Sequence, residues 1–136
     1  MRAKKLSIGS AQAPQAIGPY SQGMVIGDLI FVSGQIGADP AGTLVPGGVK
    51  EQTETALRNV GALLAAARVS FQEVVKTTVY LKDMAAFAEM NEAYAKFFAQ
   101  PFPARATVQV AGLPKNALVE IEAVAVRREA TSGMPV

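Results

Sequence analysis

Glu120 and Glu122 interrupt the run "LVEIEAVAVRR" near the end of a 136-residue chain. Alternation along a strand puts Leu118, Glu120, Glu122, Val124 and Val126 on one face and Val119, Ile121, Ala123 and Ala125 on the other. Both faces are largely apolar, so the two carboxylates need compensation or must shift their pKa values. Arg105 opens the preceding apolar run, "RATVQVAG", on the same side as Thr107 and Gln109. Asn91 falls among Phe87, Met90, Tyr94 and Phe98 on a helical stripe, where an amide must find hydrogen-bond partners or cost stability. Ser33 and Gly34, at the end of "LIFVSG", add a hydroxyl and a position where backbone can be approached closely.

Two readings of these residues stand side by side. In one, Arg105, Lys76 and Arg127 neutralise the glutamates in a structural ion-pair network, Asn91 is a cap or a buried hydrogen-bond partner, and Tyr20 is a packing corner. In the other, the Arg guanidinium grips a substrate carboxylate bidentately while a nearby glutamate orients or deprotonates a water for attack on an adjacent carbon. The substrate implied by the second reading is small, with a carboxylate beside a polar unsaturated carbon. Without His, Cys or a metal the reaction must be intrinsically easy.

The elements that must position these groups follow from periodicity. Leu6 to Ile8 reads as a short first strand, and a turn-rich connection carries Gly9, Pro14, Gly18 and Pro19. "YSQGMVIGDLIFVSGQIG" reads as a hairpin split at Gly27-Asp28. Val49, Thr53, Ala56, Leu57, Val60, Leu63, Leu64 and Ala67 form a helical stripe that predicts a helix from Val49 to about Arg68, with Glu54 and Arg58 paired on the wet face. Ser70 and Glu73 have capping-box spacing, "VVKTTVYLK" alternates as a strand, and Asp83 is a natural N-cap for a second helix ended by "QPFPA". Two further strands flank a turn at Gly112–Asn116. The order βββ-α-β-α-ββ predicts an α+β fold, a mixed sheet with two helices on one face. Residues 1–129 read as a single domain and 130–136 as a loose tail. The other sheet face is too apolar for water, which predicts that it meets the same face of other subunits.

Composition narrows the chemistry. Half the residues are hydrophobic and 18% are charged, with a net charge of +2, too little cationic excess to suit nucleic acid. No Cys and no His means no thiolate nucleophile, no Ser-His-Asp triad and no Cys- or His-based metal site. No cofactor and no metal are called for. The start "MRAKKLSIGS" lacks an apolar signal core and "GALLAAA" is too short to span a bilayer, so the cytoplasm, with no membrane partner, is the expectation.

"AIGPYSQG", "IFVSGQIG", "QTETALRNVGALLAAA", "VVKTTVYLKDMAAFAEMNEAY", "FPARATVQVAGLP" and "LVEIEAVAVRR", in this order from about Ala3 to Arg128, resemble the Rid (YjgF-type) family of reactive intermediate deaminases, and its RidA branch in particular. The resemblance implies a chorismate-mutase-like α+β fold and a homotrimer whose sheets form a central barrel, with ligand clefts between neighbouring subunits. It also implies hydrolysis of 2-imino and 2-enamine acids, such as 2-aminoacrylate and 2-iminobutanoate, to 2-oxo acids and ammonia. Arg105 matches the family's carboxylate-holding arginine, and Glu120 the glutamate that activates water at the imine carbon, with Arg105 helping to keep Glu120 basic. Tyr20, Ser33, Gly34 and Asn91 match cleft-lining positions. Thr107 stands where many members have cysteine, leaving backbone contacts to the substrate and no thiol chemistry. Glu122 reads as structural, with Lys76 as its candidate partner. Two other classes stay open: a non-catalytic trimeric module that binds small carboxylates or unfolded clients, and RNA cleavage, which the lack of His and the small net charge disfavour.

Overall fold

The computed structural model describes residues 4–128, and the expected tail at 130–136 lies outside the described residues. Lys5–Ile8 (β1), Gly23–Ile26 (β2) and Leu29–Ile36 (β3) form an antiparallel meander. The β2–β3 turn is Gly27-Asp28 as expected, with Gly27 in the left-handed region at φ 57° that a two-residue hairpin turn demands. Val49–Ala66 (α1) follows, then Val74–Leu81 (β4), Phe87–Tyr94 (α2), Ala104–Gln109 (β5) and Val119–Val126 (β6). The element order is the predicted one, and the fold is α+β.

Strand order is β1-β2-β3-β6-β4-β5, with β6 antiparallel to both neighbours and β5 parallel to β4. The last two strands therefore flank the Gly112–Asn116 turn in sequence without pairing in space: β6 slots between β3 and β4. Chain direction makes β3, β4 and β5 mutually parallel. Both helices are then crossovers in the same sense across the sheet, and the right-handed rule puts them on one face. Between them and the sheet lies the core, in which Ile30, Leu57, Leu63, Leu64, Val79, Leu81 and Ile121 are fully buried.

Local chemistry explains most boundaries. Ser70 and Glu73 close the expected capping box around a 3-10 turn, Phe71–Glu73, with Glu73 Oε1 accepting from the Ser70 amide at 2.8 Å. Asp83 caps a 3-10 turn, Met84–Ala86, that leads into α2. Glu54 meets Arg58 at 3.9 Å and also Lys96. Two ends fall short of expectation. α1 stops at Ala66, with Arg68 left-handed at φ 63°, and α2 stops at Tyr94, where bonds from Lys96 to Ala93 and from Phe97 to Tyr94 tighten the chain into a 3-10-like turn before the prolines. Among the described residues no helix is long and apolar enough to cross a membrane.

Candidate functional site

On β6 the alternation resolves as read from the sequence. Val119, Ile121, Ala123 and Ala125 are buried under the helices, while Glu120, Glu122, Val124 and Val126 lie half-buried on the opposite, open face. Across the β4–β6 ladder, Glu120 is opposite Tyr80 and Glu122 opposite Thr78, so these side chains share the open face.

Glu120 sits over a defect in β3. Val32 pairs with Ala123 and Gln35 with Ile121, so Ser33 and Gly34 together oppose Glu122 alone, a β-bulge. The bulge is held from both sides: the Ser33 hydroxyl donates to the Ser21 carbonyl at 2.6 Å, and the Gln35 amide donates to the Ser33 carbonyl at 3.1 Å. A Cβ on Gly34 would overlap the Glu120 carboxylate, lying 2.8 Å from its Cδ. Glycine at 34 is what lets the carboxylate lie there. Tyr20, Gly34 and Glu120 line a single groove of about 390 Å³, walled largely by apolar groups such as Ile17, Ile36 and Pro40. Gln22 anchors its rim, donating to the Pro14 carbonyl at 2.7 Å and accepting from the Ser10 amide at 3.0 Å.

Neither glutamate has a cationic partner among the described residues. The structural ion-pair network inside one subunit is therefore absent: Arg127 donates to the Ala67 carbonyl, and Lys76 to Thr78 Oγ1 at 3.3 Å. Lys76 is not the partner of Glu122. That role belongs to Tyr80, whose hydroxyl donates to Glu122 Oε1 at 2.6 Å. Tyr80 is a site residue that sequence reasoning missed, although it continues the Lys76–Thr78 alternation. Burial, and then the Glu122 charge, push the Glu120 pKa up. Within one chain Arg105 is not among the causes of that shift.

Arg105 lies elsewhere. It is in register with Thr77 on β4, whose side chain points under the helices, 1% exposed, with Oγ1 2.7 Å from the Tyr94 hydroxyl. The guanidinium stacks over the Tyr94 ring at 4.8 Å and lies 5.7 Å from the Phe87 ring centroid. Phe87, Asn91 and Tyr94 follow one another at i, i+4 and i+7 on α2, so Asn91 belongs to the same stripe. Burial pushes the Tyr94 phenol pKa up, so the ring under Arg105 stays neutral. Asn91 Oδ1 and Thr107 Oγ1 are both buried and have no hydrogen-bond partner among the described residues. Unpartnered buried acceptors beside a guanidinium are what a polar ligand would complete.

The seven predicted residues fall into two groups. Tyr20, Gly34 and Glu120 line the open-face groove, with Ser33 beside Gly34 in the bulge but not in the lining, while Asn91, Arg105 and Thr107 lie on the helix side of the sheet at the β5 edge. One chain does not bring Arg105 and Glu120 together. The Arg105 guanidinium and the Glu120 carboxylate lie on opposite faces of the sheet.

Known proteins share this fold. The family described as Endoribonuclease L-PSP matches residues 10–127. The chain belongs to that family, the YjgF/Rid family. One Rid relative, "2-iminobutanoate/2-iminopropanoate deaminase" of Homo sapiens, is 52% identical over 126 residues, 92% of each chain. Among solved Rid-family structures, a putative endoribonuclease from Thermotoga maritima superposes with a TM-score of 0.89 at 46% identity, covering 93% of this chain and 100% of that one. Escherichia coli TdcF with bound serine gives a TM-score of 0.86 at 44% identity, covering 90% and 99%. The Rid fold expected from the sequence is thus the observed one.

Proposed function

We propose that the protein acts in the cytoplasm as a homotrimeric Rid-type hydrolase, converting 2-imino and 2-enamine acids such as 2-iminobutanoate and 2-aminoacrylate to 2-oxo acids and ammonia. The observation that carries this reading is the pair of incomplete half-sites on opposite faces of one sheet. In the proposed cleft, Arg105 of one subunit faces Glu120 of its neighbour. The high identity to relatives named as deaminases of such imines supports the substrate class, and a relative with bound serine supports a small amino-acid-like ligand.

The chemistry runs through side chains alone. Arg105, stacked on Tyr94, holds the substrate carboxylate with two parallel N–H···O bonds. Asn91 and Thr107 supply polar contacts on the same lip, and the Ser33–Gly34 bulge with Tyr20 supplies them on the other. Glu120 takes a proton from water as the water oxygen bonds to C2 and the C=N π pair moves to nitrogen. Enamine acids enter as their imine tautomers; with the imine protonated, Glu120 passes its proton to the carbinolamine nitrogen, and as the C–N bond breaks the hydroxyl proton goes to the departing nitrogen, leaving a C=O group and ammonium. Holding water and C2 together supplies much of the acceleration.

The test generates an imine in situ with an amino-acid oxidase, lets semicarbazide compete for it, and follows 2-oxo acid formation. Wild type is expected to accelerate hydrolysis, and Arg105→Ala and Glu120→Ala to lose that acceleration. No acceleration across several imino acids would refute the hydrolase and leave the carboxylate-binding module, for which the Arg105 cleft would still bind a stable 2-oxo acid. The family description names an endoribonuclease, but thirteen basic against eleven acidic residues and no histidine suit phosphodiester cleavage poorly. RNA incubated with excess nuclease-free protein is expected to stay intact.

A further inference from the structure

Tyr80 and Glu122 have no part in the steps above, yet they are built around the base. Glu122 is two residues from Glu120 on the same strand face, about 7 Å along β6 at roughly 3.3 Å per residue. Tyr80 is directly opposite Glu120 in the β4–β6 ladder, but its hydroxyl passes Glu120 and donates to the farther carboxylate, Glu122 Oε1, at 2.6 Å. The hydrogen bond fixes where the Glu122 carboxylate sits on the face it shares with Glu120. The Tyr80 pKa is pushed up, first by this hydrogen bond, so the phenol keeps its proton for the purpose.

We propose that Tyr80 and Glu122 are positioning residues for imine hydrolysis: Tyr80 holds the Glu122 carboxylate in place on the strand face it shares with Glu120, and that neighbouring carboxylate strengthens Glu120 as the base that takes the proton from water. The inference rests on the reading of Glu120 as that base. Within one chain the charged and titratable groups around Glu120 leave this pair as its dominant neighbours, and in the proposed cleft the neighbouring subunit's arginine at position 105 faces Glu120 as well, in wild type and both variants alike. From β4 come Tyr80 and Lys76, the latter donating to Thr78 Oγ1. The Pro114–Asn116 turn brings Lys115, which donates to the Gly42 carbonyl, and Tyr20 comes from the connection before β2. β3 brings none, and Arg105 of the same chain is on the other side of the sheet. Strand register places Tyr80 on the same face as both glutamates, so the hydrogen bond is made without ordering a loop.

The test is the pH dependence of kcat/KM for imine hydrolysis by the full-length protein, with carboxyl-carbon NMR titration of Glu120 alongside. Below the acidic limb, the rate relative to each variant's own plateau is expected to rise by at least about threefold in Glu122→Gln, the effect of removing one like charge about 7 Å away under water-like screening. Tyr80→Phe keeps both carboxylates but releases Glu122 from its fixed place beside Glu120, and is expected to shift the limb the same way by less. The Glu120 carbon should titrate at lower pH in both. A wild-type limb and Glu120 titration that neither variant moves would overturn the proposal. If Glu122→Gln fails to fold, Tyr80→Phe decides by itself. Wild type without any imine hydrolysis would refute the base reading, a result distinct from an unmoved limb.

Discussion

Placing Arg105 and Glu120 on opposite faces of one sheet predicts that two inactive proteins can make an active one. Arg105→Ala chains keep Glu120, and Glu120→Ala chains keep Arg105. In a closed ring each cleft takes its arginine from one subunit and its glutamate from the next. Random assembly from equal amounts gives a cleft its intact arginine with probability one half and its intact glutamate with probability one half, so about one quarter of clefts should be complete. The two variants would be co-expressed with different affinity tags, the doubly tagged species purified, and imine hydrolysis measured with semicarbazide competition. Mixed rings containing two chains of one kind and one of the other hold one complete cleft in three, so the purified species should reach about one third of the wild-type rate. Both substitutions leave the core untouched, since Arg105 packs on aromatic rings at the sheet edge and Glu120 lies half-buried on the open face. Mixed rings of normal size and stability with no activity above the background of either parent would refute the shared cleft. Full activity in either parent alone would refute the roles of the two residues.

Gly34→Ala is expected to lower kcat by about a hundredfold while the fold survives: the new Cβ would drive the Glu120 carboxylate about 1 Å or more from its place, and misplacement on that scale costs about that factor. Equal activity in a folded Gly34→Ala protein would mean that Glu120 works from another position. Glu120→Gln should abolish turnover yet raise the melting temperature at neutral pH. The Glu120 pKa is raised by burial and by Glu122, so its contribution to stability is fully present below the unfolded carboxyl value and lost as pH rises through the folded one. The stability difference between wild type and Glu120→Gln should accordingly close in acid, as calorimetry across pH would read. Ser33→Ala removes the 2.6 Å bond to the Ser21 carbonyl and should cost about 1 kcal/mol in denaturant unfolding, with a raised KM from the loosened Tyr20 turn.

The sequence shows Glu120 and Glu122 plainly because carboxylates break an apolar alternation that a strand enforces. Alternation also puts Arg105 with Thr107 and Gln109. What alternation cannot tell is whether the face of β5 that carries Arg105 is the face of β6 that carries Glu120. That depends on β6 lying between β3 and β4 while β5 pairs outside β4, a long-range choice that local periodicity does not encode. The pairing of Glu122 was misread for a related reason. Lys76 and Tyr80 are both diagonal neighbours of Glu122 across the ladder, but Lys76 turns to Thr78 while the Tyr80 hydroxyl reaches the carboxylate, and an aromatic residue in a β-rich run reads as packing until its hydroxyl is seen. The Ser33–Gly34 bulge was visible only as a glycine near a strand end, whereas its effect of clearing space for a carboxylate depends on the partner strand. Helix and strand order were legible throughout, since caps, prolines and stripes are local signals.

The separation of the two half-sites by the thickness of a sheet also bears on kinetics. In the proposed ring a free chain binds a carboxylate on one side and directs water on the other, so it turns nothing over until it meets its neighbours. Dilution should then act as an inhibitor: specific activity would fall once protein concentration drops below that needed for assembly, with an apparent reaction order in protein above one, and substrate bridging two chains would oppose that fall.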